Sequence, residues 1–485
     1  MIPSHARLLV LAAAVGALAA CATQSAYRAP VPSEQAWATD FQVEPVPQST
    51  PRWWTLLSDP SVDVLVERAF ENNPTLDRAV ATLEEAQANA GLAKSAGFPT
   101  LGVDAGLTRS GGTSLTESAS GDDAFTMSSA SLGFNWELDL FGRIRSSREA
   151  ALRRLDARDI DAQGVKLAIA AETASGVVDL RSCRYSSLVQ KEQRESLEEV
   201  LALTRLRASA GSVAPAEVDR AIASVEESRT DLASTNQLCT EIAHSLVVLT
   251  GQPLDTLYAL TAPDAHAIDL STQDFSLTRT RMVLPANVLA RNPAVMSAER
   301  ELAAAWADIG VARAERLPRL NLVAILTGQW LRVAGTSSDT TTGSLGFGLS
   351  APLFDGGRGK ATVGAAQARY HRAAADLEIA LRQAWRDVEN SLSALEAAQL
   401  RHHSARESLR ASIRLLTASE AQWRAGAISL FELEDARRRY AQARDNTITA
   451  ACDGSQAWIG LVQASGNAAI TSESNPNELP ALSYK

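Results

Sequence analysis

The feature that most constrains the fold of this chain is an internal duplication. Residues 73–108 align without a gap to residues 292–327, and an Asn-Pro pair opens both segments. The other matches are Gly91/Gly310, Pro99/Pro318, Leu101/Leu320, Thr108/Thr327, Ser-Leu-Gly-Phe at 131–134 and 344–347, Ala-Gly at 210–211 and 425–426, Glu217/Glu432 and Gly251/Gly466. Because the matches keep one order, the chain is predicted to contain one structural unit twice.

Each copy contains two short segments in which apolar and polar residues alternate. They are 101–108 and 129–140 in the first copy, and 319–332, where the alternation is less regular, and 344–353 in the second. This pattern predicts β-strands and is typical of strands that face lipid on one side and a wet lumen on the other. Half-buried strands of a soluble β-sandwich would show it too. Because four strands cannot close a barrel around a pore, a membrane barrel would have to be shared between chains.

Two long segments without proline follow the strands, from Arg143 to Ala214 and from Leu353 to Asn475. A helix of ~68 residues would be about 100 Å long at 1.5 Å per residue. Breaks at Gly211-Ser212-Val213-Ala214-Pro215 and at Gly426-Ala427-Ile428-Ser429 predict that each copy ends in a helical hairpin. The composition agrees, since 46% hydrophobic but only 5% aromatic residues suit long, closely packed helices. A spectrin-like rod scaffold would also explain the hairpins, but it would leave the strands without a role.

The N-terminus has the features of an export signal. An apolar run over residues 8–20 is too short for a membrane-spanning helix, and it leads into Leu18-Ala19-Ala20-Cys21. This sequence looks like a bacterial lipobox, which implies a signal peptide over residues 1–20, lipidation of Cys21 and a lipid-anchored linker over residues 21–50. The alternative is an ordinary signal peptide with an incidental cysteine. No later segment approaches the ~20 apolar residues of a spanning helix, so a bilayer crossing would have to use strands.

Two cysteines lie at equal distances along the sequence from the first break. Antiparallel helices that fold back at Gly211 would bring Cys183 and Cys239 level with each other, and export would place them in an oxidising compartment. We predict a disulfide between Cys183 and Cys239 that clamps the first hairpin. Two buried free thiols are the alternative, and Cys452 is left over.

No pattern in the sequence predicts catalysis, a cofactor or a metal site. Gly356-Gly357-Arg358-Gly359-Lys360 resembles a phosphate-binding loop, but Phe354 stands where that motif needs glycine and Ala361 where it needs Ser or Thr. His402 and His403 are adjacent, which is not metal-ligand spacing on a helix. The formal net charge of -10 and the pI near 5.3 argue against a nucleic-acid partner. The chain is therefore not expected to be an enzyme.

Together these segments resemble the TolC/NodT family of outer-membrane efflux proteins over about residues 50–466. Besides the duplication, the resemblance rests on Arg52-Trp53-Trp54, Asp59-Pro60, the Asn-Pro starts, the turns Leu140-Phe141-Gly142-Arg143 and Leu353-Phe354-Asp355-Gly356-Gly357-Arg358, and the Ala-Gly hairpin tips. It implies a mixed α fold with a membrane β-barrel: a trimer in which each chain adds four strands to a shared barrel of ~12 strands, continued by a long periplasmic helical barrel. The repeats would span residues 51–270 and 271–466. A tail over residues 467–485 would follow, and its approach through Ser465-Gly466-Asn467 departs from the family pattern.

The resemblance also implies a function and partners. The chain would be the outer-membrane channel component of a tripartite efflux system, passing small molecules across the periplasm and the outer membrane. Its partners would be two further copies of itself, a periplasmic adaptor (membrane fusion) protein, an inner-membrane pump of the RND class and outer-membrane lipid. A type I protein-secretion outlet of the same fold and a non-channel periplasmic lipoprotein scaffold are the alternatives.

Two kinds of site follow from the same resemblance. The adaptor-docking tips would be Gly211, Ser212, Val213, Gly426, Ala427 and Ile428. The periplasmic gate would use Glu432 and Asp435, which are three residues apart on one helix face and would form an acidic ring under three-fold symmetry. Glu432 has a structural alternative, because Ser429-Leu430-Phe431-Glu432 is also a capping-box pattern.

Overall fold

The computed structural model describes residues 27–28, 52–111, 125–262, 289, 291–333 and 336–466. Cys21, the predicted signal peptide and the C-terminal tail lie outside the described residues. The described part of the chain divides into two compact units, and each unit draws on both repeats. The first unit lies within residues 1–30, 81–159 and 297–378, and the second lies within residues 31–80, 160–296 and 379–485.

Long helices dominate the chain, and they come in pairs. The helices of the described residues include a short 3-10 helix (Trp53–Leu57), α1 (Pro60–Asn72), α2 (Pro74–Ser95), α3 (Arg143–Ser209), α4 (Pro215–Thr250), α5 (Leu254–Leu260), α6 (Pro293–Ala314), α7 (Arg358–Arg424) and α8 (Leu430–Ala464). α3 and α7 each have 67 residues, and the returning helices α4 and α8 have 36 and 35. Each repeat therefore ends in a helical hairpin, as the breaks predict. No helix among the described residues is long and apolar enough to cross a membrane.

The first unit contains a four-stranded antiparallel sheet with two strands from each repeat. Its strands are β1 (Thr100–Ser110), β2 (Phe125–Leu138), β3 (Arg319–Val333) and β4 (Thr336–Ser350), paired in the order β1-β2-β3-β4. β2 begins and ends earlier than the predicted 129–140. β4 differs most from its predicted range of 344–353. It ends at Ser350, since Pro352 cannot donate a ladder hydrogen bond, and it begins at Thr336 in a threonine-rich segment that has no alternation but pairs with β3.

The strand register places most of the apolar residues of the four strands on one face. Directly paired residues share a face of an antiparallel pair, and Leu101 pairs with Phe134, Phe134 with Ala324, and Ala324 with Leu345. The residues of this apolar face include Val103, Leu107, Leu132, Trp136, Leu320, Leu322, Leu326, Trp330, Phe347 and Leu349. The opposite face is mostly glycine and short polar residues. Val323 and Ile325 lie on that polar face, which is why the alternation in β3 is less regular.

An aspartate caps the long helix after each strand pair. Asp139 accepts hydrogen bonds from the backbone N–H groups of Ile144 (3.1 Å) and Arg145 (2.8 Å) at the start of α3. Asp355 accepts from Gly357 (2.9 Å) and Gly359 (2.7 Å) at the start of α7. These bonds satisfy donors that a helix start otherwise leaves without a partner. Asp355 thereby occupies N–H groups that a phosphate in this glycine-rich turn would need.

In the second unit, side-chain contacts define the lateral order of the long helices. Ser187 of α3 donates to Asn236 of α4 (2.7 Å), whereas Gln456 of α8 donates to Asp179 of α3 (2.8 Å). Arg401 of α7 pairs with Asp453 of α8 (3.1 Å). The order is therefore α4-α3-α8-α7, so α3 contacts the helices of both hairpins.

The duplicated Asn-Pro starts make the same contacts in both repeats. Asn73 accepts a hydrogen bond from the Thr75 N–H (2.8 Å) and donates to the carbonyl of Leu249, near the end of α4 (3.0 Å). Asn292 accepts from the Ala294 N–H (3.0 Å) and donates to the carbonyl of Ala464, at the end of α8 (3.0 Å). Each asparagine thus caps its own helix and ties it to the returning helix of its repeat.

The core of the second unit centres on the tryptophans that precede α1. Trp53 and Trp54 are buried, and the Trp53 ring lies 5.7 Å from that of Trp458 on α8. Asp59 caps α1 and pairs with Arg181 of α3 (2.8 Å). The Arg-Trp-Trp and Asp-Pro passages therefore attach the start of the first repeat to the helices of both hairpins.

Candidate functional site

The two hairpin tips have the same backbone closure. Gly211 and Gly426 have φ angles of +71° and +74°, a region that favours glycine. At the first tip Ser212 N–H donates to Arg207 (2.8 Å) and Gly211 N–H to Ala208 (3.0 Å). At the second tip Ala427 N–H donates to Gln422 (2.8 Å) and Gly426 N–H to Trp423 (2.9 Å). Both are Schellman motifs, and both leave small, exposed residues at the tip with Val213 and Ile428 half-buried beside them.

The returning helices begin differently. α4 begins with Pro215 after Ala214, which makes no side-chain cap. α8 begins with a capping box: Glu432 N–H donates to Ser429 Oγ (3.2 Å), and Ser429 N–H donates to Glu432 Oε2 (2.8 Å). The hydrogen bond from the Ser429 N–H lowers the pKa of Glu432. Glu432 is exposed and ionised, with one carboxylate oxygen already engaged.

Asp435, the second predicted gate residue, forms ion pairs within its own helix. Its carboxylate accepts hydrogen bonds from Arg438 (2.6 Å) and Arg439 (2.8 Å), which lie three and four residues further along α8. These contacts, led by the hydrogen bond from Arg438, lower the pKa of Asp435. Asp435 is therefore ionised, and its charge is balanced by two arginines of its own helix.

Glu434 lies between the two predicted gate residues but is far less accessible. Its side chain is 13% exposed, and it accepts a hydrogen bond from Arg437 (2.9 Å). Arg437 also donates to Ser196 of α3 (3.0 Å), so it joins the second hairpin to the first. The sequence analysis names Glu432 and Asp435 but missed the pair Glu434–Arg437, because the three acids within Glu432–Asp435 look alike along the sequence. The signal that was available was the helical spacing, which places Glu434 on a different face from Glu432.

A cavity of about 890 Å³ lies between the first hairpin and α8, near the tips. Its lining includes Arg220, Glu227, Phe431, Glu434 and Arg437, together with Val213 of the first tip. Across its mouth the guanidinium of Arg220 lies 6.0 Å from the centre of the Phe431 ring. The N-terminal parts of the two returning helices, α4 and α8, thus meet through a cation–π contact.

Cys183 of α3 and Cys239 of α4 are joined by a disulfide, with their Cα atoms 5.6 Å apart. Both residues are buried in the same apolar core as Leu180 and Leu246. The disulfide lies inside the first hairpin and links positions 56 residues apart in sequence.

Cys452 of α8 is free and lies against the first hairpin, where its thiol donates to Asp179 Oδ1 (3.3 Å). Burial, followed by the charge of Asp179, raises the pKa of Cys452 to about 12. The raised pKa favours the protonated thiol, whereas the thiolate is the form that attacks disulfides. Within the described residues, no group of three or more His, Cys, Asp and Glu side chains is placed to bind a metal ion.

Comparisons with known proteins identify the class to which these hairpins and strands belong. The family model for outer membrane efflux proteins matches residues 65–252 and 284–467, one segment in each predicted repeat. The chain therefore belongs to the outer membrane efflux protein family, a family of channels and not of enzymes. It is an outer-membrane efflux channel protein with a TolC-like fold.

Individual relatives match this chain over most of its length. It is 30% identical to the pyoverdine export outer membrane protein OpmQ of Pseudomonas aeruginosa, over 86% of this chain and 87% of that protein. It is 26% identical to nodulation protein T of Rhizobium leguminosarum bv. viciae, over 81% of this chain and 79% of the relative. The solved structure of the outer-membrane channel OprN is 26% identical, with a TM-score of 0.78 over 92% of this chain and 99% of that one.

Proposed function

We propose that three copies of this chain assemble into one channel, in which their sheets close into a shared barrel of ~12 strands in the outer membrane. The observation that carries the proposal is the sheet. One face carries apolar side chains from all four strands, and β1 and β4 have no further strand beside them among the described residues. An open edge in lipid leaves backbone groups without hydrogen-bond partners. Pairing β1 of one copy with β4 of the next would remove every edge.

The height of the apolar face fits this role. On β3 it extends from Leu320 to Trp330, which is about 34 Å along the strand at roughly 3.4 Å per residue. A strand tilt of ~40° would make this stretch about 26 Å tall, and a lipid-facing band of a membrane barrel is ~25 Å tall and is bounded by aromatic side chains. Trp136 pairs with Leu322 near one border, and Trp330 lies at the other.

The two hairpins of each copy would form the wall of a periplasmic tunnel. Their tips, Gly211-Ser212-Val213 and Gly426-Ala427-Ile428, would dock a periplasmic adaptor that connects the channel to an inner-membrane pump of the RND class. The shared closure and the small exposed residues of both tips support this role, because they let partner helices approach closely. Asp435, with Glu432 beside it, would line the mouth of the tunnel. Lipidation of Cys21 would anchor each copy, and the chain would supply a passage without a reaction of its own.

Two neighbouring substitutions test the barrel. Leu326→Arg places a charge on the apolar face, which costs roughly 2–4 kcal/mol at the middle of a bilayer, whereas Thr327→Arg places it on the polar face. We expect Leu326→Arg to reduce the amount of heat-modifiable trimer in outer membranes. Thr327→Arg should leave the trimer intact and change its conductance in planar bilayers. A periplasmic scaffold would tolerate both substitutions and would conduct no ions.

A further inference from the structure

Glu434 occupies the seam between the two hairpins, which we define as the contact of α8 with α3. One nitrogen of Arg437 donates to both Glu434 (2.9 Å) and Ser196 of α3 (3.0 Å). Toward the other end of α8, Arg444 pairs with Glu192 of α3. The seam thus holds α8, the helix that carries the proposed gate residue Asp435, against the disulfide-linked hairpin.

Ionisable groups surround Glu434 on three helices. Arg437 on α8 pairs with it directly, and the charge of Glu199 on α3 acts on it across the seam. The groups of α4 that line the same cavity are Glu217, Arg220, Glu227 and Asp231. Burial raises the pKa of Glu434, and Glu199 raises it further, against the opposing effect of Arg437.

We propose that Glu434 is a positioning residue that makes the proposed gate sensitive to acid: a proton on Glu434 favours the packing of α8 against α3 and keeps the mouth at Asp435 narrow. This inference rests on the proposed channel function. It assigns to Glu434 a role that acts through the position of α8 and needs no contact with the transported molecule.

The direction of the effect follows from proton linkage. In the packed seam the pKa of Glu434 is raised, whereas separation of α8 from α3 would expose the carboxyl group and return it toward the ordinary value near ~4.3. The packed state therefore binds protons more readily, so packing gains stability as pH falls through the raised pKa. The gain is complete below the ordinary value. At neutral pH the ionised, half-buried carboxylate weakens the seam.

The other acids at the mouth do not account for such a response. Hydrogen bonds from Ser429 lower the pKa of Glu432, and those from Arg438 and Arg439 lower the pKa of Asp435. Both therefore keep their charge over the pH range in which Glu434 gains a proton.

The test compares the wild-type trimer with Glu434→Gln in planar bilayers between neutral and acidic pH. The glutamine keeps the shape and a hydrogen-bond acceptor for Arg437, but it cannot ionise. We expect the conductance of the wild-type trimer to decrease as the pH is lowered. Glu434→Gln should conduct less than wild type at neutral pH, and its conductance should not change when the pH is lowered. The difference should be roughly twofold or more, within the ceiling of tenfold per unit of pKa shift. The matched control is Glu217→Gln. Glu217 is an acid of α4 whose side chain is 43% exposed and which pairs with Arg220 at the same spacing, so this variant should keep the wild-type profile.

Two results would overturn the inference. One is an unchanged acid response in Glu434→Gln. The other is a higher conductance of Glu434→Gln at every pH, which would make the ion pair with Arg437 a plain structural link. Hydrogen exchange of residues 430–445, measured for wild type and Glu434→Gln at each pH, provides a second readout that needs no conductance. A wild-type protein that conducts no ions, yet shows acid-dependent protection that Glu434→Gln abolishes, would contradict the proposed channel and leave the seam device standing.

Discussion

The two helical hairpins have the same backbone closure at their tips, but their helices are held together in different ways. In the first hairpin a disulfide fixes the spacing of α3 and α4 at Cys183 and Cys239. α3 and α7 have the same length, so the corresponding positions of the second hairpin are Ala398 and Gly454, both buried and without a covalent link. Small residues there allow α7 and α8 to approach closely without fixing them.

The N-terminal ends of the returning helices α4 and α8 also differ between the two hairpins. At the position equivalent to Asp435, the first hairpin has Arg220, and no capping box precedes it. The second hairpin carries the acids of the proposed gate. α8 contacts α3 through polar side chains such as Arg437, Arg444 and Gln456 as well as through apolar ones such as Ile448. We infer that the first hairpin is the fixed part of each copy and the second is the adjustable part.

The largest effect is expected from blocking the tips. Ala427→Trp introduces a bulky side chain at an exposed position that is not restricted to glycine, and it should abolish efflux of a fluorescent pump substrate while leaving the outer-membrane trimer at its normal level. Ser212→Trp is the matched change at the first tip. If the adaptor contacts both tips alike, the two variants should fail alike. Wild-type efflux in both would place the docking surface elsewhere.

Removing the disulfide should weaken the first hairpin alone. For a loop of 56 residues, the chain-entropy estimate for Cys183→Ser is roughly 4 kcal/mol as an upper figure. Thermal unfolding of the purified trimer should begin at a lower temperature, and a reducing agent should have no further effect on the variant. Cys452→Ser is the control, since it keeps a donor for Asp179 and should change stability little. Mass spectrometry that linked Cys452 to either partner would contradict the register of the hairpin.

The gate acids should differ in their effects. Asp435→Ala removes the partner carboxylate of Arg438 and Arg439, so the mouth should become more positive and lose preference for cations. Glu432→Ala should have the weaker effect on ion selectivity, since half of that carboxylate serves the helix start, and it should also loosen the first turn of α8. Reversal potentials in a salt gradient measure both. Equal selectivity in both variants and wild type would remove these residues from the mouth.

The smallest effect is expected where the two hairpins touch. Arg220→Ala removes the cation–π contact with Phe431, which is worth roughly 0.5–1 kcal/mol at an exposed site. A double-mutant cycle with Phe431→Leu, read from thermal unfolding, isolates the pairwise energy. Strict additivity would mean that Arg220 and Phe431 have no interaction energy in spite of their proximity.

Several elements could be predicted from local sequence because the chemistry that forms them is local. The Asn-Pro starts, the glycines at the tips and the capping pattern at Ser429–Glu432 act within one turn of backbone, and the structure has all of them in place. The strands of the first repeat were predicted from their alternation. The first half of β4 was missed because Thr336–Thr342 becomes a strand only by pairing with β3.

The sequence by itself determined the duplicated plan of strands and hairpins, since periodicity, proline placement and glycine turns depend on near neighbours in the chain. Only the tertiary structure decided which acid of α8 is buried. Glu432, Glu434 and Asp435 have similar local sequence surroundings, but α3 packs against one side of α8 and covers Glu434 while the other two stay near solvent. Burial raises the pKa of Glu434 against the opposing effect of Arg437. Helical spacing separates Glu434 from Glu432, but which of the two faces is covered depends on which helices come together in space.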